Sequence, residues 1–415
     1  MTSRRNGLVA IGATGLALVL AACGGAEGAS PASPSAAGSP SASGSASSSG
    51  GFDCPGGTIK IGAAKALTGG FSFYDGAGSN ADQLAVETIN AQGGIGGCQV
   101  EMTVKDMKSD PSLGGQVAKE LIQGGAQILL VPNDKDLGLA AAQAAQEDGI
   151  FAYSPGGASQ DFGATVGPLF ANGGTTSQEL ARAAARFAES QGYQSVFYIT
   201  NDSFAFFTLQ EDTFKAESGL QDLGRVTVTS GQTDFSAVVT KAKEALAGAQ
   251  APAIYAPVFF PDAAVLVKQL REGGVTAPIV GNSAFSSRDF AKTAGPANTK
   301  DVYYAAGTYY EGTDVPADAK EFTDAYEAQF GEFPPNSNPA ESWWAMWALF
   351  DALREAGTTN GDAVAAALLA QKDLQVPLKK IFMWEDQHIV GSTVIIGFTE
   401  TGEFRLVESY EAEGA

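Results

Sequence analysis

From residue 58 onward, short apolar runs alternate with stretches of helical periodicity, and this alternation limits the possible folds more than any other feature of the chain. IKIGAA (59–64) leads into NADQLAVETINAQGG, where Ala81, Leu84, Ala85, Thr88 and Ile89 fall on one helical face and the pair Gly93-Gly94 ends it. VEMTV (100–104) leads to LGGQVAKELIQGG, striped by Val117, Leu121 and Ile122. QILLV (127–131) leads to LGLAAAQAAQEDG, and IFAYS (150–154) follows. Such a series folds through right-handed crossovers into a parallel sheet with helices on both faces.

After LFANGG the pattern starts again. The helix ELARAAARFAESQGY precedes SVFYIT (195–200), RVTVTS (225–230), AIYAPV (253–258), PIVGN (278–282) and VYYAAG (302–307). Two serial half-sheets of one kind predict an α/β protein of two similar doubly wound lobes. The helices DAKEFTDAYEAQFG and AESWWAMWALFDALREAG come next, with Trp343, Trp347 and Phe350 expected in the core. From Lys379 on, IFMWEDQ and STVIIGF alternate as a terminal hairpin would.

The first 51 residues follow another logic. Arg4 and Arg5 precede an apolar stretch, Leu8 to Ala22, too short and glycine-broken to cross a hydrocarbon core of roughly 30 Å, and residues 1–22 read as a signal peptide. Leu20-Ala21-Ala22-Cys23 looks like a bacterial lipobox, whose cysteine takes a diacylglycerol. The alternative is an ordinary cleaved signal with an incidental cysteine. Residues 23–51, mostly Ser, Ala, Gly and Pro, cannot bury enough surface to order. They read as a tether spanning roughly 30 Å, mooring a folded body to the outer face of a cell membrane.

The 25 basic and 46 acidic residues give a net charge of −21, and removing residues 1–22 takes away Arg4 and Arg5 and no acid, leaving −23. Such a surface repels phosphates and argues against nucleic acid; alone it says little about a ligand. In an oxidising compartment the remaining cysteines tend to pair. Cys54 stands just before TIKIGAA and Cys98 just before QVEMTV, at the starts of two strands that can be neighbours, so a Cys54–Cys98 disulfide is expected over two free buried thiols. Two thiols and one histidine do not make a usual metal set. No phosphate-cradling glycine motif stands out either, so neither metal nor cofactor is expected.

Catalysis is also disfavoured. Any Ser-His-Asp machinery must use His388, which reads as part of a solvated hairpin turn in WEDQHIVG. The nearest nucleophile-elbow phrase, GNSAF (281–285), lacks the second glycine.

Several phrases resemble the leucine/isoleucine/valine-binding proteins, type I solute-binding proteins of ABC importers. They are IKIGAAKALTGGFSFYDGAG, AVETINAQGGIGG, DPSLGGQVAKELI, DGIFAYSPGGAS, TDFSAVVTKAKEA and LVKQLREGGVTAPIVG. The resemblance covers nearly all of residues 57–405. It implies two lobes joined by three crossovers near residues 170, 307 and 378, with 57–170 plus 308–378 in the first lobe and 171–307 plus 379–413 in the second. It further implies a monomer that binds a small solute between the lobes and delivers it to permease subunits. A sensor kinase in place of the permease would use the same lobes.

In doubly wound sheets, loops at the carboxyl ends of strands build the ligand crevice. The first such loop offers Phe71, Phe73 and Tyr74, where the family commonly has a tyrosine. After the third strand the family uses hydroxyls, and this chain has PNDKDLG; Lys135 replaces them as a point charge or is simply exposed, and Asp136 caps a helix beginning at Leu137. Gly156 and Gly157 would admit a ligand close to the backbone, and Ser159 stands one place past Ala158, where the family often has threonine. In the second lobe Phe206, flanked by Phe204 and Phe207, and then Phe259 fall where tyrosines are common. Ser283 falls where the family places the acid that holds a ligand ammonium. The implied pocket is apolar and aromatic, suited to an apolar or aromatic acid or an amide. Asp262 or Asp202 would have to supply the missing acid if a branched-chain amino acid is bound.

Overall fold

The computed structural model describes Phe52, Cys54 and residues 57–411. The leader, the tether and Cys23 lie outside the described residues. The first lobe opens with β1 (Thr58–Lys65), α1 (Ser72–Ala91), β2 (Gln99–Asp106), α2 (Pro111–Gln123), β3 (Ile128–Leu130), α3 (Lys135–Glu147), β4 (Phe151–Ser154), α4 (Phe162–Val166) and β5 (Phe170–Asn172). All the pairings among these strands are parallel. Cys54 and Cys98 are joined across the starts of β1 and β2, where Thr58 pairs with Gln99, with their Cα atoms 6.4 Å apart.

The second lobe runs through α5 (Ser177–Ser190), β6 (Ser195–Asn201), α6 (Ala205–Ser218), β7 (Gln221–Val228), α7 (Ser236–Leu246), β8 (Pro252–Ala256), α8 (Asp262–Glu272), β9 (Ile279–Gly281), α9 (Phe290–Ala294) and β10 (Val302–Ala306). The chain then returns with α10 (Ala317–Phe330), α11 (Asn338–Ala356) and α12 (Gly361–Leu369). Trp344 and Phe350 are fully buried and Trp343 is 7% exposed, all in the first core with Ile61, Ile128 and Leu130, while Trp347 packs partly buried against it. Tertiary packing rather than a cavity claims this tryptophan-rich face.

The tail departs from expectation. β11 (Leu374–Val376), β12 (Lys379–Glu385) and β13 (His388–Gly391) belong to the first sheet, and only β14 (Thr393–Phe398) and β15 (Phe404–Tyr410) complete the second. IFMWEDQ therefore pairs with HIVG across a turn at Asp386-Gln387, both at positive φ, and β13 docks in parallel beside β5 through His388 and Asn172. From Lys379 on there are two hairpins where one was expected, β12–β13 and β14–β15, and the third crossover falls at Ser392, so residues 379–391 are first-lobe residues. His388 is correspondingly 2% exposed rather than solvated, and burial lowers its pKa against the opposing pull of Glu179, Glu385 and Asp386.

The crossovers run between Asn172 and Ser177, after Ala306, and through Ser392. The buried Lys379 ammonium touches all three: it donates to Thr175 Oγ1 (3.0 Å), the Gly307 carbonyl (3.3 Å) and the Ser392 carbonyl (2.7 Å). Glu179 complements it, accepting from the Thr176 backbone N–H (2.9 Å) and the Gly391 N–H (3.2 Å). Removing one member of such a network leaves buried partners uncompensated. Lys379→Ala should therefore lower folding stability by roughly 3–5 kcal/mol, measured by urea unfolding; a loss under about 1 kcal/mol, the size of an exposed ion pair, would show that the ammonium does not hold the crossovers.

Candidate functional site

A buried cluster of one lysine and two aspartates lies under the loops that line the cleft. Lys65, at the end of β1 and fully buried, lies 2.9 Å from Asp82 and 3.8 Å from Asp75, both on α1. Asp75 also accepts from the backbone N–H of Ala66 (2.6 Å) and of Asn133 (3.0 Å), binding the ends of β1 and β3 to the first turn of α1. Asn133 in turn accepts from the Gly156 N–H (3.0 Å) and donates to Asn338 (3.2 Å) and Ser342 (3.3 Å). One carboxylate and one amide thus fix the loops after β1, β3 and β4 against the start of α11.

Facing these loops, the second lobe presents an aromatic wall. Phe204, Phe206 and Phe207 sit at the start of α6, and Phe259 follows β8, its ring 5.5 Å from Phe204 and 5.3 Å from Phe207. The lobes meet through Tyr74 edge-on to Phe259 at 4.9 Å and Phe73 stacked on Phe260 at 6.2 Å. Behind this contact lies a cavity of about 690 Å³, its open mouth included.

Tyr74, Lys135, Gly156, Ala158, Ser159, Phe204, Phe206, Phe259 and Ser283 all line that cavity. Asp136 and Gly157 do not. α3 begins two residues earlier than expected, at Lys135, and its cap is Asp134, whose side chain accepts from the Leu137 N–H at 3.1 Å; Asp136 is exposed on the first turn. A Cβ on Gly157 would meet Ser154 Oγ at 2.5 Å and Asn172 Oδ1 at 2.7 Å, so this glycine serves packing beneath the loop. Lys135 is engaged by Asp161. α1 starts at Ser72, which places Phe73 and Tyr74 in a helical turn rather than a loop.

Asn133, Thr175, Ser337, Asn338 and Glu341 also line the cavity and were missed. Four of them come from outside the strand-end loops: Thr175 from the first crossover, and Ser337, Asn338 and Glu341 from the start of α11. The phrase NSNPAE (336–341), with proline in the first turn, marks that helix start in the sequence, but nothing local says that it faces a cleft.

Two lobes of the same α/β construction, hinged on three crossovers around a cavity between them, define a bilobed binding protein. Comparisons with known proteins agree. Residues 58–402 match the family model described as periplasmic binding protein, and the chain belongs to that family. The Leu/Ile/Val-binding protein BraC3 of Rhizobium johnstonii is 24% identical over 357 residues, covering 84% of this chain and 94% of the relative. Among solved structures, the branched-chain amino acid transporter substrate binding protein LivJ of Streptococcus pneumoniae, in complex with isoleucine, superposes with a TM-score of 0.73 at 24% identity, covering 84% of this chain and 99% of that one. An ABC-transporter solute binding protein of Rhodopseudomonas palustris, in complex with 3,4-dihydroxy benzoic acid, also gives 0.73, at 20% identity, covering 86% and 98%. No described helix is long and apolar enough to cross a membrane.

The cleft carries raised carboxyl pKa values. Burial pushes Glu341 up to about 8, with Lys379 opposing and Glu179 adding to the rise. Burial also lifts Asp134 to about 6, the Leu137 N–H opposing and Asp136 reinforcing. Both groups hold protons more tightly folded than unfolded, where carboxyls titrate near 4. The stability they contribute is full below about pH 4 and is lost as pH rises through 6 for Asp134 and 8 for Glu341. The wild type's stability relative to Glu341→Gln should therefore fall between roughly pH 5 and 8.5, by at most about 1.4 kcal/mol per pH unit. Paired urea titrations across that range would read it, and a constant difference would place the Glu341 titration elsewhere.

Proposed function

We propose that this protein is the solute-binding component of an ABC importer, taking a small organic solute between its lobes and presenting the closed form to permease subunits. The observation that carries this reading is the cavity closed between lobes by Tyr74 and Phe259 and walled by Phe204, Phe206 and Phe207. Solute contacts with both walls favour the closed state through differential affinity, with the three crossovers as hinge. Micromolar affinity needs about −8 kcal/mol, within reach of one apolar group buried on aromatic rings and a few hydrogen bonds.

The aromatic wall and the serine at 283 favour a solute with an apolar or aromatic body over a small polar one. Cys23, in Leu20-Ala21-Ala22-Cys23, would carry the lipid that moors the protein outside the cell, and residues 24–51 would give it reach.

The test is a thermal-shift screen against amino acids, aliphatic and aromatic acids, amines, amides, polyols and nucleosides, since a ligand of the folded state raises its melting temperature. For any solute that binds, Phe206→Ala and Phe259→Ala should each weaken affinity by roughly 5- to 150-fold, or about 1–3 kcal/mol. Unchanged affinity in both variants would mean that the solute binds outside this wall.

A further inference from the structure

Glu341 is an acid in the cleft that nothing in the cleft answers. It stands in the first turn of α11, is 5% exposed and lines the cavity, yet its carboxylate has no hydrogen bond or ion pair among the described residues. Lys379 acts on it only at a distance, because its ammonium is spent on Thr175, Gly307 and Ser392. Lys135, the cation lining the same cavity, is held by Asp161. The remaining titratable groups that act on Glu341 are Glu179 of α5 and Tyr310, beyond β10. A buried acid without a partner costs free energy, and one that opens onto a ligand cavity recovers it when a donor arrives.

We propose that Glu341 is the specificity-determining acceptor for a protonated amine or other N–H donor on the solute, whose apolar or aromatic body packs on Phe204, Phe206 and Phe259. This rests on the solute-binding reading and narrows it. The acid comes from the first lobe, while the second lobe has Ser283 where the resemblance would place one. A carboxylate-bearing solute, by contrast, would face both Glu341 and Asp134 with Lys135 already paired. The Tyr74 hydroxyl, buried in the cavity wall without a hydrogen bond of good geometry, is a second polar contact on the same side. An ionised Glu341 would make a charge-assisted hydrogen bond with either head group, but only an ammonium adds the attraction of a second full charge, so an amine should gain more from Glu341 than an amide.

The probes are benzylamine, benzamide and benzoate, which share one ring and differ in head group, titrated calorimetrically into the whole chain and its Glu341→Gln and Phe206→Ala variants. At pH 8.5 benzylamine should bind the wild type most tightly and lose at least about tenfold in Glu341→Gln, or about 1.4 kcal/mol, with benzamide held within about threefold. Because an unstable variant would blur this, the wild type alone gives a second reading. Benzylamine affinity should rise between roughly pH 7 and 8.5 as the carboxyl ionises, above the range where Asp134 titrates, with benzamide flat. Benzoate binding as tightly as benzylamine and weakened by Phe206→Ala would overturn the role of Glu341 and leave the solute-binding reading intact. Amine affinity unchanged in Glu341→Gln, or none of the three probes binding, also overturns it. The solute-binding reading itself falls only with a silent response across the wider screen.

Discussion

A single ammonium holds together the part of the molecule that must move. Where the chain leaves one sheet for the other, the carbonyls of Gly307 and Ser392 have left the regular ladders, and a buried backbone acceptor without a partner is costly. Lysine offers three donors on one atom, and Lys379 uses them on all three crossovers. Glu179 serves the reciprocal need, accepting the N–H groups of Thr176 and Gly391. One acid and one base thus satisfy donors and acceptors that no strand partner serves. The same bonds couple hinge to cleft, because Thr175 both lines the cavity and accepts from Lys379.

Closure is assisted by the protein itself. The pairs Tyr74–Phe259 and Phe73–Phe260 cross from lobe to lobe, and Arg288 adds a guanidinium 3.8 Å from the Phe333 ring. Aromatic pairs are each worth about 0.5–1.5 kcal/mol, and a surface cation–π contact about 0.5–1. Together they amount to a few kcal/mol, the scale that separates open and closed states in proteins of this kind. A solute therefore needs only a modest preference for the closed form to shift the population.

The serial pattern of apolar run and helix made the two lobes legible, and it did so because each β-α unit is encoded locally. The disulfide was legible for the same reason: Cys54 and Cys98 lie beside strand starts that pair in register. What escaped was decided between distant segments. β12 and β13 alternate as a strand of either sheet would, and only the docking of His388 beside Asn172 assigns them to the first. The start of α3 turned on which of two aspartates capped it, a choice of two residues that pattern does not resolve. Glu341 was invisible for a different reason. In sequence it is a first-turn glutamate favoured by the helix dipole, and only the approach of α11 to the loops after β3 and β4, through Asn133 and Asn338, places it on the cavity.

The charge of the chain gains meaning once that position is known. A net charge of −21 by itself favours solubility and leaves the ligand open. Inside the cleft, however, the carboxyl groups are Asp134 and Glu341, the latter adding its charge as pH rises through about 8, and the one ammonium, Lys135, is already paired. The long-range field and the local one therefore have the same sign. Encounter with a cation is favoured at distance, within a screening length of about 10 Å at 0.1 M salt, and again at contact, while an anion meets opposition at both ranges. A neutral donor feels only the second. On the proposed reading the aromatic wall would select the body of the solute by area and leave the choice of head group to the cleft's two acids, Asp134 and Glu341, the latter set 5% exposed at the start of a helix.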